Sequence, residues 1–307
     1  MVDFDFRALA ELKKHIVIGL FSNDDLMQLF VLKGGSALDL AYAYAAGRSS
    51  LDVDLSMPDD FAPDALGSAA AAIEGSLSRY LREKDHVLFD FKFVKKPEHP
   101  RGPVPDFWGG YAIEFKLTTG ENHARFAGDI NALRRNATVV GPGHTRIFTI
   151  ELSKKEYCAP KREFELDGHL VYVYTPLMIV CEKLRAICQK MPEYEFGRSS
   201  NTGHRAKRAR DFYDIFVVLE HERSITWGDS ECRSILVHMF AAKRVDLALL
   251  GRVSSSEVRA FHEDDFPSVR DTVPAGVELR EFRFYFDYVA AMLLKLQVFW
   301  EVQPPRD

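Results

Sequence analysis

Between Lys33 and Leu55 a glycine turn, a helical stretch and an Asp-x-Asp strand follow one another in a fixed order. Phe30 to Lys33 reads as a short extended run that ends in Gly34-Gly35. Ser36 is expected to open an alanine- and leucine-rich helix to about Ala46, with Gly47 as its stop. Leu51 to Ser56 alternates apolar and acidic residues, a strand pattern. Residues i and i+2 of a strand share a face, so Asp52 and Asp54 stand side by side with Cα atoms ~7 Å apart. Hard divalent cations such as Mg²⁺ take oxygen ligands, usually one or two carboxylates plus phosphate oxygens. Two such ions ~3.5–4 Å apart clamp the attacking and leaving oxygens of a phosphoryl or nucleotidyl transfer. Gly34 and Gly35 let the backbone approach a phosphate closely, and the amides of a helix starting at Ser36 add anion affinity. Asp-x-Asp by itself reads as a solvated strand face, and Gly-Gly-Ser by itself as a turn with an N-cap serine. The ordered combination is what narrows the reading.

The rest of the chain divides in two. Up to about residue 175 strands and helices mix. Phe6, Leu9, Leu12, Ile16 and Ile18 make a helical stripe, and Ser22-Asn23 caps a second short helix. Asp60 to Glu83 reads as a long helix, Val87 to Val94 and Tyr111 to Thr118 as strands, and Thr145 to Leu152 as another. Gly128 to Arg135 reads as a helical excursion, and Asp167-Gly168 as the turn of a hairpin. After Thr175-Pro176 helices dominate: Leu177 to Lys190, then a polar loop, then Arg205 to Glu220. The domains are thus 1–175, α/β, and 176–307, helical.

Composition narrows the partners. The 307 residues carry 40 basic and 45 acidic side chains, a net charge of -5, so attraction to a polyanion must come from a local patch. One such run is Arg198, Arg205, Lys207, Arg208 and Arg210, with no acid among residues 198–210. Cys158, Cys181, Cys188 and Cys232 form no CxxC pair. No signal peptide and no membrane-length apolar run is read, so the expectation is a reduced, cytoplasmic protein without a membrane partner. His99, His144, His204 and His262 lack metal-ligand spacing, and His262-Glu263 reads as surface. Phe282, Phe284, Tyr285, Phe286 and Tyr288 read as helix core. Lys183 and Asp211 lie in separate predicted helices, flanked by apolar residues. They read either as an interhelical ion pair or as a phosphate-binding lysine held by an aspartate.

Four segments, in this order, resemble those of AbiEii/AbiGii-type nucleotidyltransferase toxins, within the nucleotidyltransferase superfamily. They are Val31-Leu32-Lys33-Gly34-Gly35-Ser36-Ala37-Leu38, Arg48-Ser49-Ser50-Leu51-Asp52-Val53-Asp54-Leu55, Glu182-Lys183-Leu184-Arg185-Ala186 and Ala209-Arg210-Asp211-Phe212-Tyr213-Asp214-Ile215. The resemblance runs from about residue 30 to 220; residues 222–307 carry no motif that maps onto the family. It implies an α+β fold: a nucleotidyltransferase-like mixed sheet flanked by helices, followed by a helical C-terminal domain that completes the active-site cleft. It implies an NTP substrate, Mg²⁺ or Mn²⁺ as cofactor, and transfer of a nucleoside monophosphate to an acceptor such as tRNA. The role implied is that of the toxin of a bacterial toxin–antitoxin or phage-defence system, with a cognate antitoxin protein as partner.

Carried over residue by residue, the nucleotide falls to Lys33, Gly34, Gly35, Ser36, Arg48 and Ser50, with Gly35 and Ser36 on the triphosphate. Asp52 and Asp54 bind metal, Lys183 neutralises phosphate charge, and Asp211 positions Lys183 or the acceptor. The superfamily's third carboxylate falls to Glu151 or Glu114. Glu151 is preferred because it precedes the hairpin leading to Lys183, where the family's sequences place an acid. Two other classes fit the same sequence: a nonenzymatic nucleotide- or RNA-binding relative, and a small-molecule, antibiotic-type nucleotidyltransferase.

Overall fold

The computed structural model describes residues 5–44, 47–100, 103–196, 206–274 and 276–301. They form two compact units. The first gathers residues 1–42, 49–98 and 108–173; the second gathers 43–48, 99–107 and 174–307. The sequence reading ran the α/β domain unbroken to residue 175, whereas 43–48 and 99–107 group with the helical unit.

In the first unit, helix α1 (Phe6–Phe21) is capped by Asp5, whose carboxylate accepts the Arg7 and Ala8 amides. Asn23 caps α2 (Asp24–Leu29) in the same way. The two-residue strand β1 (Val31–Leu32) follows, then α3 (Gly34–Ala37). The helix therefore starts two residues before Ser36, because Gly34 takes φ +58° and turns the chain there. It widens into a π-helical turn over Leu38–Tyr42 and ends well short of Ala46. Ala45 and Ala46 lie outside the described residues. Strand β2 spans Val53–Ser56 and α4 spans Leu66–Glu83, so the helix expected from Asp60 begins later, behind a 3₁₀ turn at Pro63–Ala65.

Strands β3 (His86–Lys96) and β4 (Gly110–Thr119) precede α5 (Gly120–Arg125), α6 (Ile130–Arg135) and β5 (Phe148–Ser153). The hairpin of β6 (Arg162–Leu166) and β7 (His169–Val173) turns at Asp167 and Gly168, both with positive φ. That is the two-residue geometry which matches strand twist. The seven strands form one mixed sheet in the order β3-β4-β5-β2-β1-β7-β6. β2 is parallel to β5 and antiparallel to β1, which places β2 near the middle. Phe148, Ile150 and Leu152 of β5 are buried with Val53 and Leu55 of β2. Alternation therefore turns Asp54 and Glu151 to the opposite face. α1 packs on α4 and β7, and α4 packs on β3.

The second unit holds α7 (Pro176–Cys188), α8 (Ala209–His221), α9 (Ser230–Ala241), α10 (Ser256–Glu263), α11 (Pro267–Arg270) and α12 (Phe282–Leu293). Thr175 caps α7, with Pro176 in its first turn. Phe212 of α8 packs on Phe282 and Phe286 of α12, which are buried with Tyr285; Phe284 is instead exposed. No helix among the described residues is long and apolar enough to cross a membrane.

His262 is not on the surface. It is 1% exposed, packs on Phe212 and accepts the Arg208 amide at Nδ1, 2.8 Å away. Burial, aided by the charges of Arg208, Lys190 and Lys207 and opposed by Asp211, lowers its pKa from 6.5 to about 4. The unfolded chain then binds the proton more readily. Stability is full above about pH 6.5 and is lost as the pH falls toward about 4. Urea denaturation at pH 7 and pH 5 should differ by about 2 kcal/mol from this group, and His262→Gln should remove most of that difference.

Candidate active site

The first cluster lies where β2 begins in the sheet. Asp52 stands one residue ahead of the strand and Asp54 within it, both half-buried. Strand register sets Asp54 directly beside Glu151 of β5, across a spacing of roughly 4.8 Å. Glu151 is exposed. Glu114 lies one strand further, opposite Thr149 rather than Glu151, with its carboxylate 3.9 Å from the Lys96 ammonium.

The glycine turn is built against this face. A Cβ on Gly34 would stand 2.9 Å from Asp54 Oδ2, so both the positive φ and the close approach demand glycine. The Lys33 amide donates to the Asp54 carbonyl at 3.0 Å. The Ser36 hydroxyl is fully buried. It donates to the Asp52 carbonyl at 2.7 Å and accepts the Asp54 amide at 3.1 Å. Its work is to bolt the turn to the acidic strand; it caps no helix, since the cap position is Lys33. Ser50, also buried, donates to Asp52 Oδ1 at 2.9 Å. The Lys33 ammonium goes to Ser153 Oγ at 3.0 Å, with Glu156 at 3.8 Å.

Asp52, Asp54 and Glu151 offer carboxylate oxygens only, the donor set of Mg²⁺ or Mn²⁺. Among the described residues no three acidic, histidine or cysteine side chains close into a ready cage. As a donor set, two or three carboxylates suit a cation whose remaining ligands are phosphate oxygens and water, the usual Mg²⁺ arrangement at nucleotides. The amides of Gly35 and Ser36 lie in the first helical turn, where intrahelical acceptors are lacking.

The second cluster belongs to the helical unit. Lys183 of α7 donates to Asp211 Oδ1 at 3.1 Å and to Asp214 Oδ2 at 2.7 Å, both on α8. Arg48 grips Asp214 with Nε and Nη2 at 3.0 and 2.9 Å. Burial alone would raise the Asp214 carboxyl, but the Arg48 and Lys183 charges outweigh it and hold it below the usual carboxylate range. Burial likewise opposes the Lys183 charge, and Asp214 and Asp211 override it, so the ammonium stays protonated. Asp214 is the member that site assignment from sequence passed over. Its signal was the spacing of three residues from Asp211, which puts both acids on one face of a helix.

The basic run is less free than its composition implied. Lys207 pairs with Asp264 at 2.7 Å, Arg208 lies 3.6 Å from Asp211, and Arg210 donates to Ser268. Arg198, Arg205 and His204 lie outside the described residues, and α8 starts at Ala209 rather than Arg205.

The chain matches the family model "Nucleotidyl transferase AbiEii toxin, Type IV TA system" over residues 16–288. Among solved structures it is similar to MenT4, a nucleotidyltransferase toxin from Mycobacterium tuberculosis H37Rv. The identity is 16%, the TM-score 0.51, and the match covers 94% of this chain and 84% of that one. A looser match, with TM-score 0.36 and 16% identity, is to an antigenic nucleotidyltransferase-like protein from Paracoccidioides brasiliensis. It covers 76% of this chain and 93% of that one. No curated protein sequence matches.

Proposed function

We propose that this chain, which belongs to the AbiEii nucleotidyl transferase toxin family of type IV toxin–antitoxin systems, transfers a nucleoside monophosphate from an NTP to a hydroxyl of tRNA or another RNA, the new bond to the α-phosphorus forming as the α–β phosphoanhydride breaks and pyrophosphate leaves. The observation that carries the reading is the row of carboxylates on β2 and β5, built against a glycine turn with no room for a side chain. Asp52 and Asp54 would hold Mg²⁺ or Mn²⁺, which when bound neutralises charge on the transferring phosphoryl group. The Gly35 and Ser36 amides take triphosphate oxygens. Glu151 accepts the proton of the attacking hydroxyl at its carboxylate. In the helical unit, Lys183 supplies positive charge for phosphate. Asp211 and Asp214 use two of its three N–H donors, and Arg48 fixes Asp214. A cognate antitoxin is the expected protein partner, the cytoplasm the expected location and phage defence the expected setting.

The test is incubation with each α-labelled NTP, total tRNA and Mg²⁺. Label should enter RNA with one preferred NTP and vanish on chelation of the metal. NTP binding without transfer to any acceptor would favour a nonenzymatic relative. Labelling of aminoglycosides in place of RNA would favour the small-molecule class.

A further inference from the structure

Lys13 lies on α1 among Leu9, Leu12, Ile16 and Val17, and its side chain is wholly buried. Its ammonium pairs with Asp39 in the π-helical turn and donates to the Ser50 carbonyl at 2.9 Å. The Ser50 hydroxyl in turn donates to Asp52 Oδ1. A lysine in an apolar helical stripe is costly, and a leucine there would pack at no desolvation penalty. The two partners of this lysine stand 26 and 37 residues away. They flank the segment 43–48 that leaves this unit after Tyr42 and returns at Ser49. Asp39 meets the ammonium from a π-turn, a distortion frequent at functional sites.

We propose that Lys13 is a positioning residue for the metal-binding carboxylate of Asp52, acting through the Ser50 peptide. The proposal rests on the reading of Asp52 and Asp54 as metal ligands. The ammonium fixes the direction of the Ser50 carbonyl, and thereby the residue whose hydroxyl holds Asp52 in place. Outer partners of a metal ligand commonly set affinity by 10–100-fold.

Lys13→Met alone strands the Asp39 charge, so the informative variant is Lys13→Met with Asp39→Asn, which removes both charges and leaves the Ser50 carbonyl without its donor. Mn²⁺ binding to the full chain, read by electron paramagnetic resonance, should weaken about tenfold. Amide hydrogen exchange of residues 49–52 should quicken while the core of α1 stays protected. Adding Ser50→Ala should cause little further loss, because both changes break one chain of contacts. Wild-type Mn²⁺ affinity in the charge-balanced variant would overturn the proposal. So would general loss of fold, which would make Lys13 a stability residue. Absence of Mn²⁺ binding by the wild type would overturn the metal reading itself, and the proposal with it.

Discussion

Asp54→Asn should reduce nucleotidyl transfer by roughly 10³-fold or more while leaving the fold intact. The asparagine keeps the shape that packs on Gly34 and the backbone bonds to Lys33 and Ser36. It removes the negative charge that a hard cation needs. Asp52, Asp54 and Glu151 crowd like charges on one face, so losing one should leave the melting temperature unchanged or slightly raised. Transfer of label from NTP, with a thermal melt on the same sample, separates the two effects. Retained transfer with a large drop in melting temperature would make Asp54 structural. Asp52→Asn should behave in the same way, since an amide oxygen still accepts the Ser50 hydroxyl.

Asp214→Ala should cost about 3–5 kcal/mol of folding stability, the largest expected loss of stability in the helical unit. The substitution leaves the Arg48 guanidinium without its bidentate partner, at 11% side-chain exposure, and strips Lys183 of one of two counter-charges. Arg48→Met together with Asp214→Leu should cost less than Asp214→Ala alone. It removes the stranded guanidinium, and Lys183 keeps Asp211. Urea denaturation of the two variants and the wild type decides this. Equal stability of Asp214→Ala and the wild type would show that the network carries no folding energy.

Strand β5 was legible in the sequence because it alternates: buried Phe148, Ile150 and Leu152 against Thr149, Glu151 and Ser153 is a pattern that no helix carries, whereas β3 is half-buried along most of its length. Which glutamate neighbours Asp54 was not legible, because strand register comes from the order of strands in the sheet. The helix begins two residues before the serine that the sequence offers as its start, because Gly34 at positive φ has already turned the chain. The Ser36 hydroxyl bonds two backbone groups of the acidic strand, a tie that no spacing in the sequence reveals. Lys13 gave no sign, since a single lysine in an apolar stripe does not announce partners far along the chain. His262 misled for the opposite reason: the acids Glu263, Asp264 and Asp265 around it look like surface, but the ring faces Phe212. Arg48 was legible as a motif residue and not as a partner of Asp214, which lies 166 positions away.

We propose that the carboxylates at the start of β2 bind the catalytic cation. Anomalous diffraction from crystals grown with Mn²⁺ and a non-hydrolysable NTP analogue tests it most directly. A Mn²⁺ peak is expected about 2.0–2.3 Å from carboxylate oxygens of Asp52 and Asp54, with phosphate oxygens completing its shell. A Mn²⁺ peak bound to the triphosphate alone, away from both aspartates, would contradict it.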